Sequence, residues 1–255
     1  MPSIALLQNR LQQIAYALEQ SGQALALLGL GSTGLESSRM DTYSDLDFFA
    51  IVRPGSKQKF IQDLFWLEQC APVVYRFQNT PDGHKVMFND GVFCDFAVFE
   101  PQELANIPFA HGQLIWQHMD FDSTVCEPNS TWGHYHRNPN RNWHLQEALC
   151  NLYTGVCRYK RGEKLSAMKL VQQLAIDHIL DLIYLDQPFE QTMIDPYMPD
   201  RRVEAQFQGI EDLIAGFCLG YNHTLESAEN ILDWLQQHYT VSVELAEQIR
   251  YLIRS

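Results

Sequence analysis

Two aspartates at the start of an apolar segment are the residues of this chain best placed to do chemistry. Asp45 and Asp47 are separated by one residue, and Asp47 leads directly into the run Phe48–Val52. If that run forms a strand, the two carboxylates point to one face, roughly 6.5–7 Å apart along the chain. Carboxylates placed in this way can share divalent metal ions. The same Asp-x-Asp pattern also occurs in solvated turns and caps, so the pair alone leaves both interpretations open.

A glycine–serine step precedes these aspartates. The apolar run Ala24–Leu30 ends in Gly31-Ser32, and a polar connection of about a dozen residues leads from there to Asp45. A buried strand that runs into Gly-Ser exposes backbone N–H groups and a hydroxyl, which suit phosphate oxygens. A phosphate cradle followed by paired carboxylates predicts metal-assisted chemistry on a nucleotide.

A third aspartate stands within an apolar segment. Segments 84–88 and 92–99 flank the Asn-Asp-Gly sequence of residues 89–91, which is a strong signal for a tight hairpin turn. Alternation along the second segment puts Asp95 on the face away from its two neighbours. Because an unpaired carboxylate is costly to bury, Asp95 is either a third functional acid or a structural residue, paired with an arginine or exposed on an edge strand. Glu100, at the end of the same segment, competes for the functional role.

These residues together resemble the signature of the DNA polymerase β-like nucleotidyltransferase superfamily. The matching pattern is Gly31-Ser32, a short linker, Ser44-Asp45-Leu46-Asp47, an apolar strand and then Asp95. The sequence of residues 43–48, YSDLDF, is most similar to that of the small-molecule members, which nucleotidylylate aminoglycoside or lincosamide antibiotics. The resemblance covers residues 24–100.

The resemblance implies a Mg²⁺-dependent enzyme of the EC 2.7.7 type, associated with antibiotic resistance. It implies two magnesium ions, ATP or another nucleoside triphosphate as co-substrate, and transfer of a nucleoside monophosphate, expected to be AMP, to a hydroxyl of a small molecule. Asp95 would ligate metal or accept the proton of that hydroxyl. Arg39 and Lys169, the two cationic residues expected to contact the nucleotide, could instead be ordinary solvated side chains. The implicated residues are, as metal ligands and catalytic acids, Asp45, Asp47 and Asp95, and, as nucleotide contacts, Gly31, Ser32, Arg39 and Lys169.

The pattern of elements predicts an α+β fold with a mixed β-sheet and flanking helices, followed by a C-terminal α-helical bundle. We expect a catalytic domain at residues 1–130 and a helical acceptor-binding domain at 131–255. The predicted strands lie at 24–30, 45–52, 72–79, 84–88 and 92–99, and the region from 101 to about 141 is predicted to be irregular. The predicted helices are an N-terminal amphipathic one with Ile4, Leu7, Leu11, Ile14 and Leu18 on its inner face, one at 56–70 capped by Ser56, and others at 142–160, 164–185, 203–219, 225–238 and 243–253.

Charge and composition narrow the expected partners. The chain has a net charge of −13 at pH 7 and no basic stripe, which counts against nucleic acid as a partner. An acidic protein can attract a cationic small molecule, although acidity also serves solubility alone. No apolar run reaches the roughly 18 residues needed to cross a bilayer, and the N-terminus lacks signal-peptide features, so the expected location is cytoplasmic without a membrane partner. A homodimer is one expected assembly.

The cysteines and histidines show no metal-binding spacing. The six cysteines are scattered and are expected to be reduced thiols. His134, His136 and His144 lie in an aromatic stretch and lack the helical i, i+4 spacing of a zinc site, so we predict an aromatic loop there.

Two other functions stay open at this point. One is an enzyme that nucleotidylylates a protein hydroxyl. The other is a non-catalytic nucleotide-binding module, against which the third acid, Asp95, argues because nucleotide binding alone does not require it.

Overall fold

A mixed six-stranded sheet forms the centre of the first part of the chain. The computed structural model describes residues 1–128, 136–189, 195 and 198–255. The sheet order is β3-β4-β5-β2-β1-β6, in which β2 and β5 are parallel and all other neighbours are antiparallel. The strands are β1 (Ala24–Gly29), β2 (Leu46–Val52), β3 (Val73–Gln78), β4 (Gly83–Phe88), β5 (Phe93–Phe99) and β6 (Gln113–Gln117). The predicted α+β class is confirmed.

The two faces of the sheet pack against different parts of the chain. On one face, helix α1 (Ile4–Gln20) and the short helices α2 (Lys57–Gln62) and α3 (Phe65–Glu68) cover alternate strand residues such as Phe48 and Phe96. The other face, which includes Ile51 and Phe99, packs against the segment between β5 and residue 126. The residues of the central strands β1, β2 and β5 therefore contribute to two apolar layers, one on each face of the sheet.

Several local predictions for this part of the chain are wrong. Ile4 is 40% exposed rather than on the inner face of α1. The helix predicted at 56–70 is divided in two, because Asp63 has an extended backbone and its carboxylate accepts a hydrogen bond from the N–H of Phe65. The Ser56 hydroxyl does not cap the first of these helices but donates to the side chain of Gln23. Strand β6, within the region predicted to be irregular, adds an edge to the sheet beside β1.

The second part of the chain is helical, as predicted. Its helices are α4 (Arg141–Lys160), α5 (Lys164–Lys169), α6 (Ala175–Asp186), α7 (Val203–Gln206), α8 (Ile210–Phe217), α9 (Thr224–His238) and α10 (Val243–Arg254). The helix predicted at 164–185 contains a π turn at Leu170–Leu174. The helix predicted at 203–219 is interrupted at Phe207, whose backbone is extended. Apolar residues of α4, α6, α9 and α10 share one core.

The chain divides into two compact units, Met1–His134 and Tyr135–Ser255. The boundary predicted near residue 130 and the histidine at 134 lie outside the described residues. None of the helices in the described part is long and apolar enough to cross a lipid bilayer.

Candidate functional site

Asp47 and Asp95 stand side by side on the two parallel strands. Asp47 of β2 is paired in register with Asp95 of β5, and neighbouring strands lie about 4.8 Å apart. Both residues are half-buried, whereas the residues that alternate with them, including Leu46 and Phe96, are buried in the apolar layer under the helices. Asp45 directly precedes β2 and is also half-buried. The strand pairing thus brings together residues that are 48 positions apart in sequence (95 − 47).

The loop after β1 is fastened to the backbone of Asp47. The N–H of Leu30 donates to the carbonyl of Asp47 at 2.8 Å, and the N–H of Asp47 donates to the hydroxyl of Thr33 at 3.1 Å. Thr33 is 3% exposed, so the second hydrogen bond is shielded from water. Both backbone groups of Asp47 are therefore satisfied by the loop, which fixes the strand start relative to the Gly-Ser step.

Gly31 approaches the carboxylate of Asp47. Its φ of +50° lies in the left-handed region that favours glycine. A Cβ atom at this position would lie 3.8 Å from Oδ2 of Asp47. In the described part of the chain, the N–H groups of Thr33 and Gly34 donate back to the carbonyl of Leu30, whereas no hydrogen bond is found from the N–H of Gly31 or Ser32. The backbone of Gly31 beside the Asp47 carboxylate, and that of Ser32 after it, therefore have N–H groups that could bind a ligand.

Lys85 is a site residue that the sequence reasoning missed. It lies opposite Asp95 on the antiparallel strand β4, and its ammonium forms an ion pair with Oδ2 of Asp95. Hydrogen bonding to Asp95 raises the pKa of Lys85, and the charges of Asp95, Asp47 and Asp45 raise it further, against the lowering effect of partial burial. The ammonium group of Lys85 therefore interacts electrostatically with all three carboxylates. The hairpin signal at residues 89–91 could have identified Lys85, because the turn fixes which residues face each other.

Asp95 matches neither structural alternative raised by the sequence. Its strand is internal rather than at an edge of the sheet, its charged neighbour is a lysine rather than an arginine, and its side chain is 33% exposed. Glu100, the competing acid, has a structural position. One of its carboxylate oxygens accepts the N–H of Gly55, and the residue forms a reciprocal cap with Glu103 at the following turn.

The two predicted cationic contacts of the nucleotide lie in different units. Arg39 is half-buried in a short turn at Ser37–Arg39 and forms an ion pair with Glu36 of the same loop. Lys169 is exposed at the last residue of α5, in the second unit. Their predicted roles stay predictions, as does that of Ser32, which is half-buried in the turn Gly31–Thr33.

The donor set suits a hard divalent cation. Asp45, Asp47 and Asp95 offer only oxygen ligands, which magnesium prefers, and they are partly open to solvent, so an ion could keep some of its water. The hydrogen bond to Asp95, followed by the charges of the three carboxylates, raises the pKa of Lys85. The donor chemistry of these residues therefore fits the metal that the sequence motif implies, although the ligand atoms of the three acids do not all lie within 4.8 Å of one another.

Comparison with known proteins gives structural matches alone. No protein-family model matches this chain, and no curated protein matches its sequence. An aminoglycoside 6-adenyltransferase from Bacillus subtilis is similar over 100% of this chain and 98% of its own, at 13% identity and a TM-score of 0.37. Spectinomycin adenyltransferase AAD(9) from Enterococcus faecialis, solved with ATP and spectinomycin, is similar over 97% of this chain and 98% of its own, at 12% identity and a TM-score of 0.33.

Both of these proteins are named as adenyltransferases, the class of enzyme that residues 43–48 resemble. TM-scores of this size do not assign an activity.

Proposed function

We propose that this chain is a Mg²⁺-dependent nucleotidyltransferase that moves a nucleoside monophosphate, AMP from ATP, to a hydroxyl of a small molecule. The observation that carries the proposal is the in-register pairing of Asp47 with Asp95 on parallel strands, with Asp45 two residues before Asp47. Three carboxylates near the starts of two adjacent strands repel one another, which has an electrostatic cost. A bound divalent cation would remove that cost, and Lys85 offsets part of it in its absence.

The three acids would divide the chemistry between them. Asp45 and Asp47 would hold the metal, and Asp95 would either complete the ligand set or take the proton of the attacking hydroxyl. When bound, magnesium stabilises the attacking and leaving oxygens of an in-line displacement at phosphorus. Asp95 is suited to either role because its side chain is 33% exposed and so within reach of an incoming acceptor.

The loop after β1 would hold the triphosphate. The backbone of Gly31 is adjacent to the carboxylate of Asp47, and backbone N–H groups such as those of Gly31 and Ser32 are good donors to phosphate oxygens. Lys85 would leave Asp95 and pair with a phosphate when metal binds, since both the ion and the ammonium compete for the same carboxylate. Arg39 and Lys169 are kept as further predicted contacts of the nucleotide.

The acceptor is proposed to be a hydroxylated small molecule, with aminoglycoside and lincosamide antibiotics as the first classes to test. The sequence resemblance at residues 43–48 supports this choice. The net charge of −13 also supports it, because a cationic acceptor would be attracted at long range.

A pyrophosphate-release screen tests the proposal directly. The full chain would be incubated with Mg²⁺, each of the four common nucleoside triphosphates, and panels of aminoglycosides, lincosamides and candidate proteins. We expect release that depends on ATP, on a small-molecule acceptor and on Mg²⁺. Release confined to protein acceptors, with a mass increase of about 329 Da on the protein, would replace the small molecule by a protein substrate. Nucleotide binding without release in any arm would identify a non-catalytic nucleotide-binding module.

A further inference from the structure

Three side chains of the helical unit converge on a second point rich in metal-binding atoms. His144 lies on α4, and His178 and Asp181 lie three residues apart on α6. One ligand atom from each lies within 4.8 Å of the others, and within the described residues no other group of three such side chains meets this condition. His144 is 1% exposed and Asp181 is 3% exposed. Buried polar side chains need partners for their polar atoms, which hydrogen bonds or a shared metal ion can supply.

Two of the three separations between these atoms are close to those of a metal coordination shell, and all of them lie within 4.8 Å. Nδ1 of His144 lies 3.1 Å from Nδ1 of His178 and 3.5 Å from Oδ2 of Asp181. Ligand atoms placed 2.0–2.2 Å from a tetrahedral zinc ion are roughly 3.3–3.5 Å apart. The three side chains therefore need little movement to bind one ion.

The second nitrogen of His144 fixes which atom is free to act as a ligand. Nε2 of His144 lies 2.8 Å from the carbonyl oxygen of Asn138. A carbonyl only accepts hydrogen bonds, so Nε2 must carry a proton, and in the neutral ring the lone pair is then on Nδ1, facing His178 and Asp181. A histidine that donates its remote N–H to a backbone carbonyl while its other nitrogen faces a metal is the usual arrangement around metal sites.

A hydrogen bond also orients the carboxylate of Asp181. Oδ1 of Asp181 accepts a hydrogen bond from Nε of Arg137 at 2.7 Å, while Oδ2 points to His144. Asp181 also borders a cavity of about 320 Å³ that reaches the surface and is lined by two further acids, Asp177 and Asp200. A cation attracted to this acidic cavity could therefore reach Asp181, the one member of the three that lines it.

We infer that His144, His178 and Asp181 bind one divalent transition-metal ion, Zn²⁺ by the chemistry of the donors, and that this ion fastens α4 to α6. Two imidazoles and a carboxylate suit zinc better than magnesium or calcium. Three protein ligands leave a fourth position for water or a further ligand. The sequence reasoning predicted no metal site at His144, because its partners come from a helix that begins about thirty residues later and no local spacing connects them.

Zinc titration of the full chain tests this inference. Asp45 and Asp47 could also bind zinc, so the titration is made on the Asp45→Asn/Asp47→Asn double variant, with a chromogenic zinc chelator as competitor. We expect one zinc ion per chain and a rise in the thermal unfolding temperature on saturation. His178→Gln, at a half-buried position, should weaken the affinity at least tenfold and abolish the thermal shift. His223→Gln, an exposed histidine of the same unit, should change neither.

Tryptophan fluorescence can show whether a metal ion binds at His144, His178 and Asp181. The ring of Trp143 lies 5.0 Å from that of His144 and 5.2 Å from that of His178, with edge-to-face geometry in both pairs. Co²⁺ bound there should quench the fluorescence of Trp143, and the quenching should disappear in Trp143→Phe although Co²⁺ still binds.

The following results would overturn the inference. They are no zinc binding at micromolar concentration by the folded double variant, undiminished binding in a folded His178→Gln, or binding that is lost when the exposed thiols are removed in Cys150→Ser/Cys218→Ser. If no zinc binds, hydrogen bonds alone, including that from Arg137 to Asp181, hold the three side chains in place.

Discussion

The hydroxyl of Thr33 accepts a hydrogen bond from the backbone N–H of Asp47 at 3.1 Å, across fourteen residues of sequence. Together with the hydrogen bond from Leu30 to the carbonyl of Asp47, it couples the proposed phosphate loop to the proposed metal ligand. A shift of one would move the other, so loss of this hydroxyl should affect both stability and nucleotide binding.

Thr33→Val keeps the shape of the side chain but removes the acceptor. We expect a loss of about 1–3 kcal/mol in the free energy of unfolding, because a shielded N–H is left without a partner. The KM for the nucleoside triphosphate should rise as well. Urea unfolding and pyrophosphate-release kinetics measure the two effects. Thr33→Ser retains the hydroxyl and should keep most of both properties. A loss in Thr33→Ser with none in Thr33→Val, which retains the methyl group, would assign the effect to packing of that methyl group.

Asp47→Asn should abolish transfer while the fold is retained. Loss of one carboxylate from the metal site is expected to lower kcat by about 10³-fold, equivalent to about 4 kcal/mol. The thermal unfolding temperature should not fall, since the substitution removes one of three mutually repelling charges. Asp120→Asn, at a side chain that is 69% exposed, serves as the matched control with full activity. Near-normal turnover in Asp47→Asn would refute the metal assignment.

Gly31→Ala tests the space beside the Asp47 carboxylate. The alanine pays about 1–2 kcal/mol for a left-handed backbone, and its methyl group would occupy the position 3.8 Å from Oδ2 of Asp47. We expect the KM for the nucleotide to rise roughly tenfold, about 1.4 kcal/mol. Gly22→Ala is the matched control, because Gly22 has a φ of +62° and nothing within 4 Å of the added Cβ. It should show the stability loss without the change in KM.

Lys85→Met should increase the affinity of the site for a divalent cation. The ammonium of Lys85 competes with metal for Asp95 and senses Asp47 and Asp45, so its removal should tighten binding of Mn²⁺, a magnesium substitute, by about tenfold. Electron paramagnetic resonance of free Mn²⁺ measures this without nucleotide. In the same variant kcat should fall, if Lys85 pairs with phosphate during turnover. Weaker Mn²⁺ binding would show instead that Lys85 holds the carboxylates in place.

Lys57 should make stability depend on alkaline pH. Its ammonium bonds to Asp82 at 2.7 Å and Glu103 at 2.6 Å. Burial alone would lower the pKa of Lys57, but the hydrogen bonds and charges of the two acids outweigh it and raise the pKa. The stabilisation is thus complete below the unfolded pKa of about 10.4 and is lost as pH rises through the higher folded value.

Urea unfolding of the wild type and Lys57→Met at pH 8 and at about pH 11.5 checks this expectation. The wild type should be the more stable at pH 8, and the difference should shrink at the higher pH. Lys59→Met, from the same helix, should show no such convergence. A difference that is constant with pH would assign the effect of Lys57 to its packing on Phe99.

The local pattern of the sequence determined much of the first unit. Alternation of apolar and polar residues predicted strands close to β1–β5, and the Asn-Asp-Gly turn predicted the β4–β5 hairpin, because both signals act between residues near in sequence. The same alternation placed Asp47 and Asp95 away from the helix-covered layer. Predictions failed where a local hydrogen bond or an edge pairing decided the outcome, as at Asp63 and in β6.

Tertiary structure alone decided which of these residues meet. The parallel pairing of β2 with β5 puts Asp47 beside Asp95, and pairing of strands that are not consecutive leaves no signal in either strand. The contact of His144 with His178, which joins two helices, likewise leaves no local signal in the sequence. The sequence by itself therefore determined which side chains could do chemistry. Packing of distant segments determined their neighbours, because those contacts depend on the balance of the whole core rather than on any short run of residues.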